Sequence, residues 1–86
     1  MYTRLYKGYV NTIERVKSFV FMNQTFRGDV YVSNGGYIVN GKSIMGMFSL
    51  NLTLELTIKL DSPFIEDIND IMREYSSFGL TLIEGV

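Results

Sequence analysis

Hydroxyl side chains, among them Thr12 and Ser43, are candidates for chemistry in this sequence, because histidine and cysteine are missing. The 86 residues include neither histidine nor cysteine. The commonest zinc ligand and general base is therefore absent, together with any thiolate or disulfide. A serine hydroxyl can accept a phosphoryl group, which adds roughly −1.5 to −2 of charge at neutral pH. We expect no metal and no cofactor.

Ser43 also ends a segment, Gly36 to Ser43, that matches the phosphate-binding loop pattern Gly-x-x-x-x-Gly-Lys-Ser. In such a loop, backbone amides surround the phosphates of a nucleotide between a strand and a long helix. Here the interior residues Tyr37, Ile38 and Val39 favour a strand, and the short chain leaves little room for a magnesium-binding aspartate on another strand. We interpret the match as coincidental.

The segment around Ser43 resembles the regulatory-serine motif of HPr, the small phosphocarrier of the bacterial sugar phosphotransferase system. The run from Asn40 to Leu50 reads Asn-Gly-Lys-Ser-Ile-Met-Gly-Met-Phe-Ser-Leu, and the family motif is close to Asn-Ala-Lys-Ser-Ile-Met-Gly-Leu-Met-Ser-Leu. Upstream, Phe26 to Val32 is similar to the strand that precedes this motif in HPr, at the same spacing from the serine. The departures within the motif are Gly41, Met47 and Phe48.

The resemblance implies that Ser43 is a regulatory phosphorylation site. In the HPr family a serine kinase of the HPr kinase type modifies the matching serine, and the product binds a transcriptional regulator. A phosphate at this position would meet the free amides at the start of a short helix, which we predict over Ile44 to Leu50. The alternative interpretation is that Ser43 only caps this helix.

The resemblance also implies an exposed apolar surface for docking protein partners, formed by Ile44, Met45 and Phe48. Methionine and aromatic side chains suit an adaptable contact surface. Phe19 and Phe21 could extend it. The alternative is that these side chains belong to the core, as apolar residues of a short helix often do.

The carrier site of the family is replaced in this chain. Thr12 stands at the position of the phosphoryl-accepting histidine, Glu14 at that of a phosphate-binding arginine, and Arg15 at that of a proline. A threonine phosphate is an ester too stable to be passed on, and the carboxylate of Glu14 would repel an incoming phosphate where an arginine would bind it. We expect a protein that is not an enzyme of histidine phosphotransfer, with Thr12 capping the first helix.

Composition restricts the partners and the cellular location. Eight basic and nine acidic residues give a net charge of −1, so nothing favours binding to nucleic acid or to an anionic membrane. Neither a signal peptide nor an apolar run of roughly 20 residues is present, and we expect a cytoplasmic protein. The length and the absence of a linker predict one domain over residues 1–86.

The order of predicted elements is strand, helix, hairpin, short helix, strand, helix. Alternating apolar and polar residues from Leu50 to Leu60 predict a strand with one buried face, and Asn34-Gly35-Gly36 is typical of a hairpin turn. This order and the resemblance predict an α+β, HPr-like open-faced sandwich with three helices on one face of a four-stranded antiparallel sheet. The other predicted elements are a strand within Tyr2 to Val10, a helix from Ile13 to Gln24, hairpin strands at Asp29 to Ser33 and Tyr37 to Asn40, and a helix from Pro63 to Tyr75 that begins at Ser62 and Pro63.

These observations favour an HPr-like regulatory or protein-interaction domain that does not carry phosphate and is controlled at Ser43. Its nearest counterpart is a catabolite-repression HPr, a homologue in which the carrier histidine is likewise replaced. Two alternatives remain: a phosphoryl-transfer component that uses Thr12 or a residue of a partner, and a scaffold subunit of an unrelated complex.

Overall fold

A computed structural model describes residues 1–85 and has the predicted α+β architecture. The described strands form one antiparallel sheet in the order β3-β2-β4-β1-β5. The sheet has five strands, one more than the four that we predicted. The elements are β1 (Tyr2–Gly8), α1 (Ile13–Gln24), β2 (Asp29–Asn34), β3 (Tyr37–Asn40), α2 (Ile44–Phe48), β4 (Leu56–Ser62), α3 (Ile65–Phe78) and β5 (Thr81–Gly85).

The additional strand follows α3 directly. Gly79 ends the helix in the left-handed conformation, with φ of 94°, which glycine adopts at little cost. Leu80 is buried, and β5 then pairs with β1 with a register shift between Leu5 and Tyr6. The residues of this strand read Thr-Leu-Ile-Glu-Gly and do not alternate between apolar and polar, so the pattern did not reveal the strand in the sequence.

The prediction of a strand from Leu50 is wrong over residues 50–55, because β4 begins at Leu56. Leu50 instead packs into the core after α2, which ends at Phe48 rather than at Leu50. The side chain of Asn51 then accepts hydrogen bonds from both the backbone amide and the hydroxyl of Thr53, at 3.1 and 2.6 Å. This local turn gives the backbone a partner that competes with a strand ladder.

The start of α3 also differs from the prediction. The N-cap residue is Phe64, without a side-chain cap, and the helix runs to Phe78 rather than Tyr75. Ser62 is buried at the end of β4, where its hydroxyl donates to the carbonyl of Arg27 and accepts from the amide of Phe64. The serine therefore joins β4 to the start of β2 instead of capping the helix.

The hairpin between β2 and β3 forms as predicted. Gly35 and Gly36 have φ of 57° and 90°, which a two-residue turn between strands of this twist requires. Asn34 pairs with Tyr37 at the last position of the ladder. The turn therefore fixes which face of β2 is buried.

The core lies between the helices and one face of the sheet, and the other face of the sheet is open. Val16, Phe19 and Val20 of α1 are buried, whereas Ile13 and Phe21 are 60% and 71% exposed. The buried apolar residues of the core are Tyr6, Val10, Val16, Phe19, Val20, Phe26, Val30, Val32, Met47, Leu50, Leu56, Ile58, Leu60, Ile68, Ile71, Tyr75 and Leu80.

Candidate functional site

Ser43 lies at the N-cap of α2, with a half-buried side chain and an extended backbone. Its Oγ atom accepts a 3.0 Å hydrogen bond from the amide of Gly46. A Cβ atom at position 46 would lie 3.3 Å from that oxygen, closer than ordinary van der Waals contact. Gly46 therefore leaves space beside the hydroxyl, and the helix presents Ser43 at its start rather than inside the core.

A buried hydrogen-bond chain holds the residue two positions before Ser43. Gly41 donates its amide to the carbonyl of Val30 at 2.8 Å, and its own carbonyl accepts from Nδ2 of Asn23 at 2.8 Å. Tyr75 of α3 in turn donates to Oδ1 of Asn23. This chain couples the start of α2 to α1, α3 and the sheet.

Lys42 is tied to the same region by its side chain and its backbone. Its Nζ atom donates to the carbonyl of Phe26 at 2.7 Å, and its amide donates to Oδ1 of Asn40 at 2.9 Å. The Nε2 atom of Gln24 reaches the Lys42 carbonyl at 3.3 Å. The resemblance to a nucleotide-binding loop thus has no counterpart here, since Tyr37–Asn40 is a strand and the lysine binds the protein's own backbone.

Ile44, Met45 and Phe48 are exposed to 41%, 81% and 43% respectively, while Met47 on the opposite side of α2 is fully buried. Phe21 is exposed on α1 and lies three residues before Gln24, so both project from the same face of that helix. Gln24 contacts the carbonyl of Lys42, in the segment before Ser43. We call Ile44, Met45 and Phe48 the apolar surface, and its extension by Phe21 stays a prediction.

Phe19 cannot extend this surface, because it is fully buried against Tyr75 and Phe78. The helical repeat explains why. Phe19 lies on the same face of α1 as Val16 and Asn23, which point into the core, whereas Phe21 is two positions away on the opposite side.

Thr12 caps α1, its Oγ1 accepting a 3.1 Å hydrogen bond from the amide of Arg15. The guanidinium of Arg15 donates to the carbonyls of Tyr9 and Phe78 at 2.9 and 3.0 Å and lies 3.8 Å from the ring centroid of Phe78. Arg15 thus links the start of α1 to the end of α3. Glu14 is exposed beside it.

The two predicted hydroxyl positions occur at different helix starts. Thr12 caps α1 and Ser43 caps α2.

Within residues 1–85, three or more acidic side chains do not come together in a group that could hold a metal ion. None of the helices described there is long and apolar enough to cross a membrane.

Comparison with solved structures decides the fold relationship. No protein-family model and no curated protein matches the chain. The crystal structure of a phosphocarrier protein HPr from Bacillus anthracis str. Ames matches with a TM-score of 0.64 and 22% identity, over 88% of this chain and 95% of that chain. That of HPr-C-His from Thermoanaerobacter tengcongensis matches with a TM-score of 0.63 and 22% identity, over 86% and 92%. This chain has an HPr-like fold.

The sequence did not predict the buried hydrogen bond between Asn23 and Tyr75 within this HPr-like fold. Asn23 recurs at helical spacing with Val16, Phe19 and Val20 on the core face of α1. A polar side chain on an otherwise apolar helix face indicates a buried hydrogen bond, because a buried amide must find hydrogen-bond partners. Nothing in the sequence identified those partners as Tyr75 and Gly41.

Proposed function

We propose that this HPr-like protein is a regulatory or interaction domain related to the sugar phosphotransferase system, that it does not carry phosphate, and that phosphorylation of Ser43 controls it. The observation that carries the proposal is the position of the Ser43 hydroxyl at the start of α2, immediately beside the apolar surface. The proposed partners are a serine kinase of the HPr kinase type and a transcriptional regulator.

The apolar surface supports a role in docking protein partners. Ile44, Met45 and Phe48 are exposed on one short helix, which presents flexible and aromatic side chains close together. A phosphate on Ser43 would add roughly −1.5 to −2 of charge at its border. Partners that place an apolar group against Ser43 would then bind less well, and partners that place an arginine there would bind better.

The residues at the carrier position argue against phosphoryl relay. The chain contains no histidine, and the Thr12 hydroxyl is engaged as a helix cap. The nearby guanidinium of Arg15 donates to two backbone carbonyls, which directs it away from an incoming phosphate. A stable threonine ester would in any case retain the group.

Phosphorylation by HPr kinase and ATP tests the regulatory role. We expect one added phosphoryl group in the wild type and in Ser49→Ala, and none in Ser43→Ala. Ser49 is the matched control because its hydroxyl is exposed at the other end of the same helix. If a control HPr is modified under the same conditions while this protein is not, the regulatory role is wrong and the scaffold alternative is favoured.

Incubation with Enzyme I and phosphoenolpyruvate tests the relay alternative. We expect no added mass. A mass gain that is lost in Thr12→Ala but kept in Ser43→Ala would show that the chain takes part in phosphoryl transfer after all.

A further inference from the structure

Two asparagines in this chain precede a glycine, Asn34 before Gly35 and Asn40 before Gly41, and the fold exposes Gly35 but buries Gly41. Asparagine deamidates most readily in this dipeptide, because glycine has no side chain to hinder attack by its own nitrogen. We propose that Asn34 is a spontaneous deamidation site of the folded protein, that Asn40 is protected, and that the modification releases the β2–β3 hairpin from the loop that precedes β4.

The nucleophile at the first site is free. Gly35 and its neighbour Gly36 are exposed at the tip of the hairpin. Among the hydrogen bonds of residues 1–85, none is donated by the Gly35 amide. The side chain of Asn34 is held by a single exposed contact, in which Nδ2 donates to the carbonyl of Asn51 at 2.8 Å. Rotation of the asparagine into the reactive geometry therefore requires only a local opening of the tip.

The reaction is balanced by water alone. The Gly35 nitrogen attacks Cγ of Asn34, a nitrogen–carbon bond forms, and the bond from Cγ to Nδ2 breaks. The proton lost from the Gly35 amide leaves with Nδ2 as ammonia, and a five-membered succinimide remains. Water then opens the ring at Cγ to give aspartate, or at the backbone carbonyl to give isoaspartate.

The second site is closed to the same attack. The Gly41 amide donates to the Val30 carbonyl at 2.8 Å, and Gly41 is buried. Its carbonyl accepts from Asn23, and Oδ1 of Asn40 accepts from the amide of Lys42. The nitrogen can reach Cγ of Asn40 only if this buried segment separates from β2, which costs far more than opening an exposed turn.

Modification of Asn34 has a defined structural consequence. A carboxylate at position 34 has no hydrogen to donate and would face the Asn51 carbonyl oxygen, so the contact would become repulsive. Isoaspartate would also lengthen the backbone where Asn34 pairs with Tyr37. The loop over residues 49–55, which begins with the cap of α2, would lose its connection to the hairpin.

The test is peptide mapping by mass spectrometry of purified full-length protein incubated in buffer of mildly alkaline pH, with electron-based fragmentation to separate aspartate from isoaspartate. We expect Asn34 to convert at least about tenfold faster than Asn40 in the folded protein. In concentrated denaturant the two rates should become similar. Conversion of Asn40 as fast as Asn34 in the folded state, or a folded Asn34 that stays intact while the unfolded chain converts, would overturn the proposal.

The consequence is tested separately with Asn34→Asp, which reproduces one product, and with Asn11→Asp as a control of equal charge change at an exposed asparagine outside the hairpin. We expect faster backbone hydrogen exchange over residues 49–55 in Asn34→Asp and in the aged wild type. Unchanged exchange in both would refute the release of the loop, and equal acceleration in Asn11→Asp would attribute it to charge alone.

Discussion

The hydroxyl of Tyr75 in α3 donates a 2.6 Å hydrogen bond to Oδ1 of Asn23 in α1, and both side chains are fully buried. Because Nδ2 of the same asparagine donates to the Gly41 carbonyl, one amide connects two helices to the segment that leads into Ser43. Within residues 1–85, no buried side-chain nitrogen or oxygen atom lacks a hydrogen-bond partner, and inside an apolar core a missing partner would be costly.

Replacing Tyr75 by phenylalanine should destabilise the protein by about 1–3 kcal/mol, because Oδ1 of Asn23 would stay buried without a hydrogen-bond donor. Urea unfolding measures the change. Tyr37→Phe is the matched control, since that tyrosine is 57% exposed and should alter the free energy of unfolding by less than about 0.5 kcal/mol. Equal effects of the two substitutions would contradict the assignment.

Burial raises the pKa of Tyr75 well above its usual value, with the nearby Tyr6 acting in the same direction. The folded state therefore holds this proton more tightly than the unfolded state, and stability from Tyr75 is complete below a pH of about 10 and lost above it. As the pH is raised above about 10, the free energy of unfolding should fall less steeply for Tyr75→Phe than for the wild type. If the free energy of unfolding falls equally steeply with pH in the wild type, Tyr75→Phe and Tyr37→Phe, Tyr75 is not the source of the pH dependence.

Asp67 has a lowered pKa, because its carboxylate accepts hydrogen bonds from the side chain and then from the backbone amide of Arg27. The folded state thus favours the charged form, and the resulting stability is present above a pH of about 4 and lost as the pH falls through the lower folded value. The stability difference between the wild type and Asp67→Asn should therefore be largest near neutral pH and shrink in acid.

Asp70→Asn is the control for Asp67→Asn, since it removes the same charge from the same helix. Asp70 forms an ion pair with the exposed Arg73, and exposed pairs of this kind contribute little. Its effect on urea unfolding should be small at every pH. A pH-independent difference for Asp67→Asn would show that the contact with Arg27 does not depend on ionisation.

The two sides of α2 should respond differently to truncation. Met47→Ala removes a fully buried side chain and should destabilise the protein by about 2–5 kcal/mol. Met45→Ala changes a side chain that is 81% exposed and should change stability by less than about 0.5 kcal/mol. If the apolar surface docks partners, Met45→Ala should weaken binding to the HPr kinase, measured by calorimetry, while thermal unfolding stays as in the wild type.

Much of the fold followed from local patterns. The predicted bounds of α1, which begins after the capping residue Thr12, match the observed ones, and Asn34-Gly35-Gly36 predicted the hairpin because its glycines tolerate positive φ. The strand expected from Leu50 failed where two local preferences competed. Alternation favoured a strand, and the side chain of Asn51 favoured the turn that forms.

The candidate site divides in the same way. That Ser43 caps a short helix was one of two interpretations of the sequence, and it could be proposed there because capping depends on contacts within a few residues. Phe19 is buried and Phe21 is exposed, although both are apolar. The packing of α1 against α3 decides this difference, because only one of the two side chains faces the core.

The sequence by itself determined the order of most elements, the absence of histidine and cysteine chemistry, and the position of a serine at a helix start, because each depends on composition or on neighbours along the chain. Only the tertiary structure decided that β5 joins the sheet, that Asn23 meets Tyr75, and that the amide of Gly41 is buried and hydrogen-bonded while Gly35 is exposed. Those outcomes join residues far apart in the chain, and the burial of apolar surface that selects them belongs to the whole fold rather than to any one segment.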